Sequence, residues 1–173
     1  MDPQIQAPKR KIVEQPSFTI VGFQRNILQK EELDPNTGQI RKAHEDYFSQ
    51  QIHDKIPHRL HPKRTYCIYY EYQNPNDQNE NRYKMVLGEM VSEVNDLPEG
   101  LVAVTVPAHL FCCFDCGPGP IPKVVIDAWS SLSTLSPEEL GGVRSYDFDF
   151  EVYPEDLNLK ENIKFELFIG IQK

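Results

Sequence analysis

Several common signatures of function are missing from this 173-residue sequence. No apolar run is long enough to cross a bilayer, and residues 1–4 do not open a positively charged and then apolar leader. The HExxH, GxSxG, GxGxxG and Walker A patterns do not occur. We therefore expect a cytoplasmic protein without a membrane segment, whose function has to be inferred from its fold.

Positive charge is also scarce. The chain has 18 Lys and Arg against 26 Asp and Glu, which gives a formal net charge of −8. Surfaces that bind nucleic acids need an excess of Lys and Arg to neutralise phosphates, so direct nucleic-acid binding is not expected. A cationic small molecule, by contrast, would be attracted.

Cysteine is rare, and its spacing does not favour a metal site. Three of the four cysteines fall in the segment from Cys112 to Cys116, where Cys113 and Cys116 have CxxC spacing. The segment is apolar and is predicted to be a strand, in which positions i and i+3 face opposite sides. We expect buried, reduced thiols, no bound metal and no cofactor.

The order of predicted elements indicates the fold class. A flexible tail is expected over residues 1–15 and one domain over residues 16–173. Strands are predicted at 17–23, 65–72, 83–91, 101–106, 109–116, 147–153 and 165–171, and amphipathic helices at 40–56 and 121–135. This order predicts an α+β fold of duplicated βαββ units, with an antiparallel sheet, both helices on one face and a ligand cleft between the halves.

A carboxylate lies within the apolar last strand, from Phe165 to Ile171. Alternation places Phe165, Leu167, Ile169 and Ile171 on the core face and Glu166, Phe168 and Gly170 on the other face. The second face is open to two interpretations, which are plain solvent exposure and a concave surface that receives a flat ligand. In a cleft, aromatic walls and one carboxylate would suit an aromatic cation through stacking and cation–π attraction.

The candidate ligand-contacting residues combine this carboxylate with aromatic side chains. They are Glu166, Tyr153, Trp129, Phe168, Tyr69, Tyr70 and Tyr47.

Several segments together resemble the GyrI-like, or AraC-type, effector-binding domain, in particular its stand-alone branch related to integron-cassette effector-binding proteins. The segments that carry the resemblance are 66–72 (YCIYYEY), 86–91 (VLGEMV), 101–108 (LVAVTVPA), 117–122 (GPGPIP), 150–153 (FEVY) and 165–171 (FELFIGI). The resemblance implies two βαββ units with a cleft between them, in which a last-strand glutamate, here Glu166, contacts ligand. Glu151 is interpreted as a residue of the rim or of the framework. The sequence departs from the family pattern at residues 109–111.

Three functions are compatible with these observations. The first is a stand-alone module that binds bulky hydrophobic, cationic or aromatic compounds as a sensor or a sink. In transcription regulators of the family the domain is joined to a helix-turn-helix domain, for which the residues before the first strand are too few. The second is a hydrolase of strained, cyclopropane-bearing aromatic compounds that uses Glu166 catalytically. The third is an interaction with an unknown protein partner, as in inhibitors of DNA gyrase.

Overall fold

The computed structural model describes residues 9–154 and 161–173, which form one eight-stranded antiparallel sheet with helices. The strands are β1 (Arg10–Gln15), β2 (Phe18–Leu28), β3 (Thr65–Tyr70), β4 (Arg82–Val91), β5 (Val102–Val106), β6 (His109–Gly119), β7 (Val143–Tyr153) and β8 (Ile163–Gln172). The helices are α1 (Gln29–Glu32), α2 (Ile40–Ser49), a 3₁₀ helix (Ile52–Lys55), α3 (Lys123–Leu132) and α4 (Pro137–Leu140). The order of strands across the sheet is β1-β6-β8-β7-β3-β4-β2-β5.

The sheet consists of two βαββ units. The first unit is β2–α2–β3–β4 and the second is β6–α3–β7–β8, and the two units meet where β3 pairs with β7. The two remaining strands each pair with the unit that is farther along or back in the sequence. β1 directly precedes the first unit but pairs with β6 of the second, and β5 directly precedes the second unit but pairs with β2 of the first. The predicted α+β fold class with one antiparallel sheet is confirmed.

The two edges of the sheet lie close together in space. Only Pro16 and Ser17 join β1 to β2, and only Pro107 and Ala108 join β5 to β6. A link of two residues spans at most about 11 Å even when extended. The strands that it joins lie near opposite edges in the strand order, so the sheet must curl until those edges are neighbours.

The curl buries the face of the sheet that carries no helix. Phe18 of β2 packs edge-on against Phe150 of β7 with ring centroids 5.1 Å apart, although β4 and β3 lie between those strands. Phe168 stacks on Phe150 at 4.4 Å and is only 8% exposed. We call this side of the sheet the inner face, and the helix-covered side the outer face. Both faces are buried at the centre, which is why all six residues of β3 are buried.

The predicted tail over residues 1–15 is wrong for residues 10–15. These residues form β1 and pair with β6 from Arg10, opposite Phe114, to Gln15, opposite His109. Their side chains are mostly polar and exposed, so the sequence gives no burial signal. The hydrogen bonds offered by the edge of β6 stabilise the strand instead. Residues 1–8 of the predicted tail lie outside the described residues.

Other boundaries differ from the sequence-based prediction. The first helix ends at Ser49 rather than at Ile56, because Gln51 adopts a left-handed conformation with φ of 51° and a 3₁₀ helix follows. Ile52 and Ile56 are nevertheless buried, so the apolar spacing continues across the break. The strand predicted to end at Cys116 continues to Gly119, after a shift in its register with β8.

Candidate functional site

Glu151 is a carboxylate buried at the centre of the sheet. It lies on β7, has no exposed surface, and points to the outer face, beneath the helices. Its register partners are Cys67 on β3 and Leu167 on β8, so it lies at the junction of the two βαββ units. A carboxylate in this position must be compensated by hydrogen bonds or by a cation.

Three aromatic side chains donate hydrogen bonds to Glu151. The Trp129 indole Nε1 donates to Oε2 over 2.6 Å, the Tyr153 hydroxyl to Oε1 over 2.8 Å, and the Tyr69 hydroxyl to Oε2 over a long 3.4 Å. Trp129 also packs edge-on against Tyr69, with ring centroids 5.3 Å apart. We call these four residues the Glu151 cluster.

The four members of the Glu151 cluster come from three elements, β7, β3 and α3. Tyr153 is two residues after Glu151 on β7, so the alternation of the strand puts both on the outer face. Tyr69 is two residues after Cys67 on β3, the strand next to β7. Trp129 comes from α3, whose Val124 and Ala128 pack on the second half of the sheet. The cluster therefore joins both units.

Burial dominates the electrostatics of Glu151. Desolvation raises the pKa of the Glu151 carboxyl, against hydrogen bonds from Trp129 and Tyr153 that act to lower it. Burial also raises the pKa values of Tyr69 and Tyr153, with a further contribution from the neighbouring Glu151, so their hydroxyls stay protonated as donors. None of the ion pairs in the described part of the chain involves Glu151. Its hydrogen bonds come from neutral donors, and the charge of the more distant His44 acts with them to lower its pKa.

The cover over the cluster is formed by partly buried side chains. Phe48 of α2 packs against the hydrophobic clusters of both halves, and so does Trp129 of α3. Tyr47 is fully buried beside Phe48, with ring centroids 5.1 Å apart, and its hydroxyl has no hydrogen-bond partner among the described residues. The site is closed by side chains of α2 and α3 and not by the backbone of the sheet.

The structure divides the candidate ligand-contacting residues between the two faces of the sheet. The outer face carries Tyr47, Tyr69, Trp129 and Tyr153. The inner face carries Tyr70 and Phe168, together with Glu166, which shares the alternation of Phe168 on β8. These two groups are not brought together.

Glu166 has different surroundings from Glu151. It is partly exposed, and its Oε2 accepts a hydrogen bond of 3.4 Å from the Cys113 thiol. Its neighbours in the sheet are Asp115 on β6 and Val152 on β7. The convergence of Glu166 with Trp129 and Tyr153 does not occur in this structure.

The sequence pattern predicted that Glu151 belongs to the rim or the framework, whereas the structure buries it completely at the centre of the candidate site. In the run from Asp147 to Tyr153, acidic residues alternate with Phe148, Phe150 and Val152, a pattern that is typical of a strand with one wet face. The signal that could have been used is Tyr153, because an aromatic hydroxyl two residues away shares the face of the carboxylate. The helices cover that face, and the apparent wet face is a buried polar site.

The described residues contain no group of three or more His, Cys, Asp or Glu side chains that could hold a metal ion. All four cysteines are buried free thiols. No helix in the described ranges has the length and hydropathy that crossing a bilayer requires.

The fold is built of two βαββ units, and the buried carboxylate of Glu151 lies where they meet. The chain belongs to the family of integron-associated effector binding proteins, whose family model matches residues 11–171. The family supports small-molecule binding as the general function.

Individual relatives are distant in sequence. A putative transcriptional regulator protein of Bacillus subtilis, YobU, is 22% identical over 102 residues, which cover 59% of this chain and 62% of that protein. An integron cassette protein from Vibrio cholerae superimposes with a TM-score of 0.70 at 20% identity, over 96% of this chain and 97% of that one. SAV2435, in a structure bound to tetraphenylphosphonium, gives a TM-score of 0.65 at 11% identity, over 95% and 94% of the chains. These structural similarities show a shared fold.

Proposed function

We propose that this protein binds bulky aromatic cations and that Glu151 is the charged group that selects them. The observation that carries the proposal is a fully buried carboxylate whose hydrogen bonds come from neutral aromatic donors and which forms no ion pair with any residue that the structure describes. Burying a carboxylate in this way is costly, and a bound cation would offset that cost. The carboxylate is thus the natural counter-ion of a cationic ligand.

The surroundings of Glu151 suit an aromatic ligand. Trp129, Tyr69 and Phe48 offer ring faces and edges, and each stacking or cation–π contact contributes about 0.5 to 2 kcal/mol. Because Phe48 and Trp129 are only partly buried, a ligand could enter between α2 and α3 by displacing side chains and leaving the sheet intact. Binding sites between helices at a junction of repeated units are common.

The comparison with SAV2435 supports the same class of ligand, since that protein was solved with a hydrophobic cation. We extend this class to the present chain because it has an aromatic site with a buried carboxylate. Glu166, the last-strand carboxylate, remains the competing candidate for the charged contact. A direct comparison of Glu151 with Glu166 tests the assignment.

The test is a titration with tetraphenylphosphonium and with its neutral relative triphenylphosphine oxide, monitored by the fluorescence of Trp129, which is the sole tryptophan. A carboxylate about 4 Å from a cation contributes up to about 4 kcal/mol at an effective dielectric constant near 20, before desolvation. We expect Glu151→Gln to weaken binding of the cation at least about tenfold, which is about 1.4 kcal/mol, and to change the affinity for the neutral compound little.

Glu166→Gln is the matched control, because it removes a carboxylate from the adjacent strand on the other face. We expect it to leave the affinity within about twofold of the wild type. A loss of affinity in Glu166→Gln with none in Glu151→Gln would transfer the role to Glu166. Equal affinity of all three proteins for the cation would contradict selection by either glutamate.

Hydrolysis is a second candidate function, and the raised pKa of Glu151 favours it. A buried carboxyl beside the Tyr153 hydroxyl has the features of a general acid or base. The check is product analysis after incubation with electrophilic cyclopropane-bearing aromatic compounds. Product that forms with wild type and disappears in Glu151→Gln would establish turnover, and unchanged compound in both would leave binding as the function.

A further inference from the structure

A cleft of about 630 Å³, separate from the Glu151 site, opens at the end of the curled sheet. It lies where the end of β3 and the starts of β6 and β7 face the edge strand β5. Its volume falls within the range of sites for drug-sized molecules, which is about 300 to 1,000 Å³. The residues that line it and carry the chemistry are Tyr70, Glu71, Tyr72, Tyr146, Asp147 and Phe148.

The cleft does not share the Glu151 cluster. None of Glu151, Tyr69, Trp129 and Tyr153 lines it. Its floor is formed by Tyr70 and Phe148, which pack on the inner-face hydrophobic cluster, whereas the Glu151 cluster lies under the helices of the outer face. The cleft is also open to solvent, whereas Glu151 is fully enclosed.

The walls of the cleft are aromatic and fixed in place. The rings of Tyr70 and Phe148 are parallel within 3°, with centroids 5.7 Å apart. The Tyr146 ring lies under the Arg144 guanidinium at 4.2 Å and packs edge-on against Tyr72 at 5.8 Å. These contacts hold the four aromatic rings of the cleft in place.

Two non-glycine residues of the cleft have unusual backbone conformations. Glu71 and Tyr146 both have positive φ, of 55° and 54°, which favours glycine and costs other residues free energy. The register of β7 against β8 shifts between Arg144 and Asp149, which is where Tyr146 leaves the regular strand. Strained residues of this kind concentrate in binding sites, where the surrounding contacts hold them.

The charge of the cleft is negative. Glu71 is neutralised by Lys84, whose Nζ lies 2.6 Å from its carboxylate. Arg144 is likewise occupied by Asp149 at 2.6 Å. Asp147 is exposed, and no described residue forms an ion pair with it. The cleft therefore presents aromatic rings, the His109 imidazole, whose Nε2 lies 3.2 Å from the Ser145 hydroxyl, and one carboxylate without an ion-pair partner among the described residues.

We propose that this cleft is a second ligand site, for a planar aromatic cation that stacks on Tyr146 and Phe148 and is held by Asp147. The site is independent of the binding proposed at Glu151, so either can exist without the other. Because Asp147 is exposed, binding at the cleft weakens with added salt, whereas an enclosed pair at Glu151 is screened less.

Equilibrium dialysis with ethidium, a planar aromatic cation, and with phenanthridine, its neutral relative, tests the proposal. We expect Glu151→Gln to retain a site for ethidium, and Asp147→Asn and Phe148→Leu each to weaken that site at least about threefold. Glu99→Gln, which removes an exposed carboxylate outside the cleft, is the matched control. Loss of all ethidium binding in Glu151→Gln, or unchanged affinity in Asp147→Asn, would overturn the second site.

A labelling experiment locates the ligand without altering the proposed contacts. Ala103 is exposed and lines the cleft, and the four native thiols are buried. In Ala103→Cys, saturating ethidium should slow the reaction of the new thiol with a maleimide at least about threefold, because the bound ligand covers it. An unchanged labelling rate at saturating ethidium would place the ligand elsewhere and refute the proposal.

Discussion

Asp149 and Glu151 are carboxylates two residues apart on β7, both with no exposed surface, yet they are compensated in different ways. Asp149 has a full set of partners inside the protein. Its Oδ2 lies 2.6 Å from both the Arg144 guanidinium and the Tyr72 hydroxyl, and its Oδ1 accepts the backbone N–H of Gly170. Glu151 has only hydroxyl and indole donors.

This difference is the basis on which we propose Glu151, and not Asp149, as the carboxylate that contacts ligand. The Asp149 charge is balanced by Arg144, which lies on the same strand at the other end of the register shift, and Asp149 joins β7 to β8 through the N–H of Gly170. Glu151 accepts hydrogen bonds from neutral donors, and within residues 9–154 and 161–173 it has no ion-pair partner. Full burial alone does not distinguish these two carboxylates, and the presence or absence of a described ion-pair partner does.

The largest effect that tests this comparison is expected from removing Arg144. Breaking a buried ion pair from one side costs about 3 to 5 kcal/mol, because the remaining charge is left unpaired. We expect Arg144→Met to lower the free energy of unfolding by about that amount, measured by urea denaturation.

Two variants control for the loss of an arginine in general. Arg41 forms an exposed i,i+4 pair with Glu45, so Arg41→Met should cost less than about 1 kcal/mol. Adding Asp149→Asn to Arg144→Met should recover part of the loss, since the buried charge is then removed. If Arg144→Met and Arg41→Met cost the same, Asp149 does not depend on its counter-ion and the distinction from Glu151 fails.

Much of the fold could be predicted from the sequence, because periodicity reports which side chains are buried. The alternation in β8 and the helical spacing after Ile40 located elements that the structure contains, and the order of the elements, together with the family resemblance, indicated two βαββ units in an antiparallel sheet. The polar strand β1 could not be predicted, since its stability depends on hydrogen bonds to the edge of β6 rather than on apolar side chains. The break at Gln51 was likewise hidden by apolar spacing that continues through it.

The residues of the site could be predicted only in part, because the sequence does not show which face of the sheet the helices cover. Sequence assigns residues to alternate faces but does not say what covers each face. The curl of the sheet buries the inner face behind Phe168, and α3 brings Trp129 over the outer face to Glu151. The aromatic residues Trp129, Tyr69 and Tyr153 were therefore named without the carboxylate that they bind.

A smaller effect is expected from the hydroxyl groups that hold Glu151. A hydrogen bond to a charged group contributes about 1.5 to 3 kcal/mol, and weakens as it lengthens. Tyr153→Phe removes the 2.8 Å bond and should lower the free energy of unfolding by about that amount, whereas Tyr69→Phe removes the 3.4 Å bond and should cost less. If urea denaturation shows a larger loss of stability for Tyr69→Phe than for Tyr153→Phe, the length of these hydrogen bonds does not determine their strength.

The smallest predicted effect is a dependence of stability on pH that originates in Glu151. Burial raises the pKa of the folded carboxyl above its ordinary value of 4.5. The stability contributed by the protonated group is therefore complete below about pH 4.5 and is lost as the pH rises through the folded pKa. Each unit by which the pKa is raised corresponds to about 1.4 kcal/mol.

The glutamine of Glu151→Gln cannot titrate, so the variant lacks this dependence. We expect the free energy of unfolding of the wild type, minus that of Glu151→Gln, to fall as the pH is raised from about 4 towards neutrality, with Glu99→Gln measured alongside as the exposed control. Saturating tetraphenylphosphonium should reduce the fall, because a cation beside Glu151 favours the charged form. A difference that rises with pH in the free protein would mean that the hydrogen bonds of Trp129 and Tyr153 outweigh desolvation, and Glu151 would then be as fully compensated as Asp149.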